Sequence, residues 1–411
     1  MRGAEILHLV YGHYPADTRV KREVVALSAT GRRIAVVAVR QPGERAVERI
    51  GGVVVIRVPG RKSRGGFLSY LREYGDFVAR CRRLVARHRH LAHVQVVHVH
   101  TLPDFLMWAA RPAQRRGARV VFDMHEIFPE FARAKFPAPV GAMVGAWAER
   151  IERWARRRAD VTITVNRPID ALLAARAAKP GERRIVVHNT ADPRDFREST
   201  PSTAPLPRPV QFVYHGTLTH LYGLDVAARG VISAREAGHD VGLTIIGDGP
   251  ERERLEQLAR TAPPGVIRVE RPMTHTALAR VLPRFHAGIV PTRLNGMTRY
   301  SLSTKLLEYV QLGLPVLAAD LPSYREYFGD DTLWFWTAGD ADSLARTMAA
   351  FLASDPAERA RRITGAQQRL SPLAWDAQAR VLLTAYAELL DGRGHERERI
   401  SATRAAAVPS P

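Results

Sequence analysis

The feature that most constrains this chain of 411 residues is an alternation that runs, stops and runs again. Short Val/Ile-rich runs (Glu5–Val10, Arg33–Val39, Gly52–Val58, Val94–His100, Arg119–Met124, Asp160–Val165 and Arg184–His188) are separated by longer amphipathic stretches such as Arg19–Ser28, Phe67–Arg89, Phe105–Arg116 and Pro139–Arg158. Near-continuous apolar strands with helices between them indicate a parallel sheet covered on both faces. From Asn189 to Pro209 the pattern gives way to a stretch rich in Pro, Ser and Thr that reads as a linker. It then restarts with Val210–His215, Val241–Gly247, Ile267–Glu270, Ala287–Pro291 and Pro315–Ala319. One core does not serve this length, because cores stop growing near ~250 residues. The expectation is therefore two doubly wound α/β domains in series, residues 1–195 and 210–374, joined by a linker at 196–209. A closing helix at 375–390 and a frayed, disordered polar tail at 391–411 complete the chain. Such sheets bind ligands at the carboxyl ends of their strands, and two of them facing each other make a cleft.

Charge is unevenly spread. Residues 1–200 carry 37 basic and 19 acidic side chains, whereas the remainder carry 24 and 22. The excess on the first half implies an anionic partner there or, equally, arginines solvating helix faces. No run approaches ~18 apolar residues, so a membrane-spanning helix is not expected. MRGAEILHLVYGHYP has neither the apolar run nor the cleavage site of a signal peptide. The single cysteine, Cys81, excludes a disulfide framework and a cysteine-rich zinc module. A cytoplasmic setting is expected.

Four segments carry chemistry. VQFVYHGTLTHLYG ends a strand at Gly216 and Thr217 before a helix, leaving backbone N–H groups that suit a diphosphate, although any βα turn favours glycine. LTIIGDGPERERL places Gly247, Asp248 and Gly249 in a tight turn, and Gly247 is also expected among the donor-binding residues. In AGIVPTRLNGMTRYSLSTKLLEYVQLGLPVLAADLP a helix starts near Ser303 or Thr304, and Lys305 and Glu308 project from one face of it. Beside the helix N-terminus, Lys305 supplies a positive charge for a phosphate and Glu308 two acceptors for vicinal hydroxyls; the plain alternative is an exposed ion pair. In the first half, Asp17 in YGHYPADTRVKRE reads equally as a helix cap. VVFDMHE sets Asp123, His125 and Glu126 at a strand end. His98 and His100 share one strand face, but no third metal ligand is evident, so no metal is expected.

In this order and spacing, DTRVKRE, VVFDMHE, VVHNT, HGTL, IIGDGP and STKLLEYVQLGLPVLAADLP resemble a family 4 glycosyltransferase of the GT-B fold, two Rossmann-like domains facing a cleft. The resemblance runs from Ile6 to about Leu390. It implies transfer of a sugar from a nucleotide-sugar donor, commonly UDP-linked, with retention of configuration and without a bound metal or other cofactor. It implies that Glu308 holds the ribose hydroxyls, that Lys305 meets the diphosphate and that His125 contacts the donor sugar. The Gly12 loop and Asp17 then sit near the sugar and the acceptor. Two departures stand out: the position eight before Glu308, where many relatives have a second glutamate, is Tyr300, and the usual Arg and Lys of the phosphate loop are Thr217 and Tyr222. Neutralising the diphosphate then falls to Lys305 with Arg299 or Arg293, and to backbone amides.

An anionic membrane surface and a lipid-linked, glycan or small-molecule acceptor are the expected partners. Basic amphipathic segments suggest the membrane: Arg61–Leu71 with Arg80, Arg82 and Arg83, and Met143–Arg158 with Trp147, Ile151 and Trp154. The enzyme then sits in the cytoplasm, peripheral at the inner face of the membrane. Two other readings share the architecture, a nucleotide-sugar 2-epimerase and a nucleotide-sugar-binding protein without chemistry. Nucleic acid is not an expected partner, since no recognition motif accompanies the charge.

Overall fold

The computed structural model describes residues 3–60, 67–191 and 194–406, with the backbone alone for 67–71 and 392–406. It divides into two units, Met1–His188 with Gln378–Pro411, and Asn189–Ala377. The first unit contains β1 (Ile6–Leu9), α1 (Thr18–Ser28), β2 (Ile34–Arg40), β3 (Val47–Ile50), β4 (Val53–Pro59), α2 (Phe67–Arg87), β5 (Val96–His100) and α3 (Met107–Gln114). It continues through β6 (Arg119–Met124), α4 (Phe128–Lys135), α5 (Val140–Arg158), β7 (Val161–Thr164), α6 (Arg167–Ala175) and β8 (Arg184–Val186). These strands form one eight-stranded sheet in the order β3-β4-β2-β1-β5-β6-β7-β8, parallel except for the β3–β4 pair. Strand β3, absent from the sequence reading, is a short edge strand with alternating exposure, and VERI carries too little apolar signal to announce it.

The second unit contains β9 (Val210–Thr217), α7 (Leu224–Glu236), β10 (Val241–Asp248), α8 (Arg252–Thr261), β11 (Ile267–Glu270), α9 (His275–Val281), β12 (Ala287–Val290) and α10 (Thr304–Gln311). Then come β13 (Val316–Ala319), α11 (Pro322–Arg325), β14 (Trp334–Trp336), α12 (Ala341–Ala353) and α13 (Pro356–Leu370). Its six strands are all parallel, ordered β11-β10-β9-β12-β13-β14. The central strands β10, β12 and β13 are buried at successive positions and so on both faces, as the Val/Ile runs require.

The last helix corrects the expected end of the chain. Helix α14 runs from Trp375 to Ala406, through the stretch expected to fray, whose Glu, Arg and Ala residues are good helix formers. From Gln378 on it groups with the first unit, burying Leu382, Ala385, Tyr386 and Leu389. Gln378 Oε1 accepts from the His188 backbone N–H at 2.8 Å, and Arg183 pairs with Glu388.

In both sheets the strand order reverses, between β1 and β5 and between β9 and β12. Neighbouring crossovers diverge there and leave a crevice beyond the carboxyl ends. At the second reversal β9 and β10 come unusually close: a Cβ on Gly247 would run into the Gly216 carbonyl oxygen. Gly247 therefore acts through strand packing. Gly247→Ala is expected to destabilise the protein by roughly 1–3 kcal/mol, the usual cost of overpacking; a urea midpoint equal to that of the unsubstituted protein would contradict it.

Candidate active site

The second-unit site forms where β9 ends beside α10. Gly216 has φ +122°, and a Cβ there would collide with Lys305 Cε, so the glycine gives the lysine its path across the strand end. Lys305 Nζ lies 4.3 Å from the Tyr222 ring centroid and 5.5 Å from that of Tyr214. Two aromatic faces thus hold the ammonium by cation–π attraction. Burial pulls the Lys305 pKa below that of an ordinary lysine, partly offset by Glu308. The arrangement favours an anion that would restore the charge.

Glu308, one turn on, is buried, with Oε2 3.0 Å from His215 Nε2. The two atoms are close enough for an ion pair but not aligned for a hydrogen bond, and Glu308 Oε2 has no hydrogen-bond partner. A buried acceptor in that state suits an incoming hydroxyl. Ser303 occupies the N-cap of α10 but makes no capping hydrogen bond. Helix α7 begins at Gly223, likewise without a side-chain cap. Both helix starts keep N–H groups for an anion.

Of the other residues expected here, Thr217 ends β9, its carbonyl accepting from Tyr214 at 2.9 Å, and Thr304 opens α10. Arg299 is exposed, with its guanidinium 5.6 Å from the Tyr300 ring. Arg293 is different: it donates to both oxygens of Asp225, at 2.7 and 2.8 Å, so its charge is already engaged and it is not a spare cation for a diphosphate. The sequence reading also missed His215. The tyrosine at 222, read as the loss of a cation, is the surface on which the Lys305 cation rests.

In the first unit, polar groups line up across the sheet. Register sets His8 beside His98 and His100 beside Asp123, and the i, i+2 spacing on β5 puts His98 and His100 on the same face. Helix α1 brings Arg19 and Glu23, one turn apart, onto this ladder. Arg19 grips Asp123 with two hydrogen bonds, at 2.7 and 3.0 Å, and donates to the Val187 carbonyl at 2.9 Å. Burial alone would raise the Asp123 pKa; Arg19, His125 and hydrogen bonds from His100 and His125 outweigh it and hold the carboxyl well below the usual range. An ionised carboxylate only accepts, so His125 Nε2 (2.9 Å) and His100 Nδ1 (3.1 Å) both donate to Asp123 Oδ2. His8 Nδ1 then donates to His100 Nε2 at 3.0 Å. Asp123 thereby sets the tautomer and orientation of His125, whose backbone N–H is also held by Thr101 Oγ1 at 3.1 Å. Asp17 caps α1, accepting from the N–H groups of Arg19 and Val20, both at 3.1 Å, and Gly12 lies beside its second oxygen.

The statement that His98 and His100 lack a third ligand is corrected. His8, Glu23, His98 and His100 converge, as do His100, Asp123 and His125. These pairings were invisible in the sequence because they join four separate elements. The rings do not suit one ion: His98 and His100 stack at 4.2 Å with planes 12° apart, whereas ligands to a common metal point their ring planes at it. The Arg19 cation, 3.2 Å from Glu23, also opposes a second cation.

Comparison with known proteins identifies the family. Residues 16–190 match the model of the glycosyl transferase 4-like domain, and residues 209–354 that of the glycosyl transferases group 1. The chain belongs to the family 4-like glycosyltransferases of the GT-B fold. The 2-deoxystreptamine glucosyltransferase of Streptomyces kanamyceticus is 26% identical over 364 residues, 83% of this chain and 90% of its own length. Sucrose-phosphate synthase from Thermosynechococcus elongatus superposes with a TM-score of 0.74 at 16% identity, over 94% of this chain and 99% of its own. The Anabaena protein HepE, solved with UDP-glucose, gives 0.68 at 14% identity, over 94% and 100%.

Two outcomes test the buried ladder. Replacing Arg19 by Met strands the Asp123 carboxylate, and urea unfolding is expected to show a loss of about 3–5 kcal/mol. Burial lowers the pKa values of His8, His98 and His100, so the native state refuses protons that the unfolded chain takes up below about pH 6.5. Their effect is to remove stability as pH falls through that value. Glu23, raised by burial, works in the opposite sense: its contribution is full below about pH 4.3 and lost as pH rises through its native pKa. Among the other buried groups, His188 is lowered to about 4 and joins the three ladder histidines, while Asp104, raised to about 8, and Glu152, raised by burial, join Glu23. Four imidazoles against three carboxyls still predict a melting temperature that drops between pH 7 and pH 5; a flat profile would refute neutral burial of the imidazoles.

Proposed function

We propose that the enzyme transfers a sugar from a UDP-sugar with retention of configuration and without a metal ion. The observation that carries this reading is Lys305, laid across Gly216 beneath Tyr222, one helical turn from a Glu308 oxygen that has no hydrogen-bond partner. Lys305 and the uncapped helix starts meet the diphosphate, and Glu308 takes the ribose hydroxyls. UDP as the carrier is supported by HepE, solved with UDP-glucose, and a small-molecule acceptor by the relative named 2-deoxystreptamine glucosyltransferase.

In the reaction, the bond between the anomeric carbon and the diphosphate oxygen breaks and the electron pair leaves with UDP. The acceptor oxygen bonds the anomeric carbon on the same face, and its proton passes to the leaving phosphate oxygen. Fixed positive charge and N–H groups aimed at that oxygen lower the barrier, and no divalent ion is required. His125, oriented by Asp123, contacts the sugar; Gly12 and Asp17 border it. An anionic membrane surface is supported by α5, where Val140 and Met143 are exposed alongside Arg150, Arg157 and Arg158. Arg156 is not part of that face: it is buried against Glu152 and Glu182. The basic run from Arg61 onward lies outside the described residues as far as residue 66.

A donor panel reading nucleotide release is the test. Lys305→Ala is expected to lower kcat about 100-fold with a smaller effect on nucleotide affinity. Glu308→Ala is expected to weaken UDP binding roughly 10- to 100-fold. EDTA is expected to leave the rate unchanged. Full turnover by Lys305→Ala, or a rate that collapses in EDTA and returns with added metal, would overturn the mechanism. Conversion of the donor with no acceptor present would favour the epimerase reading.

A further inference from the structure

A cavity of about 540 Å³ opens in the first unit among α2, α4, α5 and the turn that follows β5. Phe105, Phe128, Phe131, Phe136 and Trp147 line it, and Phe128 and Phe131 lie 6.0 Å apart by ring centroid. One polar group is buried in this wall. Asp104, 5% exposed, follows the carboxyl end of β5 at the strand-order reversal, and its Oδ1 has no hydrogen-bond partner. An unsatisfied buried acceptor is destabilising, a penalty removed when a ligand group completes it. Glu126, the residue after His125, stands in the same wall, so the cavity adjoins the histidine assigned to the sugar.

Resting on the transferase reading above, we propose that this cavity is the acceptor subsite and takes the uncharged, ring-bearing body of a compact alcohol. Asp104 bonds a polar group on that body, and a hydroxyl near Glu126 and His125 is the one glycosylated. Size argues for compactness, since pockets of about 300–1,000 Å³ enclose drug-sized ligands, whereas a long polyprenyl chain needs an extended groove. Charge argues for neutrality. Glu126 and Lys135 balance each other in the lining. Burial, with Glu152 nearby, pushes the Asp104 carboxyl up to about 8, so at neutral pH it is mostly a neutral group able both to donate and to accept. The aromatic wall offers flat apolar contact to rings.

The test is calorimetric titration of the full-length protein with 2-naphthalenemethanol, its ammonium counterpart 2-naphthalenemethylamine, and anionic vesicles carrying polyprenyl phosphate, each with UDP binding measured in parallel. The alcohol is expected to saturate one site. Ala148→Phe, which fills the cavity from α5, is expected to weaken it at least tenfold while leaving UDP affinity within twofold. Should Ala148→Phe fail to fold, Trp147→Ala at a 41% exposed position serves instead, with a several-fold loss expected. Because a neutral ligand keeps Asp104 protonated, affinity is expected to fall several-fold from pH 6.5 to 9, and Asp104→Asn to abolish that dependence. No saturable binding, or equal binding by the cavity variants, overturns the subsite. Tenfold tighter binding of the ammonium overturns the neutral ligand, and displacement of the alcohol by polyprenyl phosphate overturns the compact one. Absence of UDP binding with naphthalenemethanol binding intact would count against the transferase reading alone; the converse would count against this subsite alone.

Discussion

A parallel sheet wound outward from its middle has to reverse its strand order once, and that constraint leaves one open crevice in each unit. Where β9 parts from β12, the crossovers diverge and the carboxyl ends are left uncovered. The Gly216 turn, the start of α7 and the start of α10 gather at that gap. Where β1 parts from β5, the Gly12 loop, Asp17 and the turn holding Asp104 gather in the same way. Site residues far apart in the chain become neighbours because the winding leaves one opening per sheet.

The two openings handle charge differently. In the second unit a lysine is drawn into the protein and cushioned by tyrosine faces, with a carboxylate one turn away, so an anion bound beside it would relieve a burial cost rather than add one. In the first unit the charge is internal. Arg19 and Asp123 form a buried pair whose worth lies less in net stability than in geometry, because a fixed carboxylate dictates which nitrogen of His125 carries its proton. Helix α14 joins this network through the Tyr386 hydroxyl, 2.7 Å from His98 Nδ1.

The fold was legible because its signal is local. Val/Ile runs such as Ile34–Arg40 and Val241–Asp248 announce buried parallel strands whatever their neighbours are. Strand β3 escaped that signal for want of apolar residues and β14 for want of length, with only three residues. The far end of α14 reads as a frayed polar tail although its Glu, Arg and Ala residues favour a helix. Lys305 and Glu308 could be paired from their spacing on a single helix. Tyr222 beneath Lys305, His215 beside Glu308 and Asp225 holding Arg293 could not, since each contact crosses from one βα unit to another.

By itself, the order of residues determined two parallel α/β units, the glycines at the second-unit turns and the helix carrying Lys305 and Glu308, because backbone conformation and periodicity are properties of short segments. Strand register and helix packing decided what those segments meet. They placed His8, His98, His100 and Asp123 on one face, carried Arg19 onto them, and left Asp104 buried in an aromatic cavity with an oxygen unsatisfied. Such convergence depends on which strands become neighbours, and that choice is made by the burial of the whole sheet rather than by any one stretch of it.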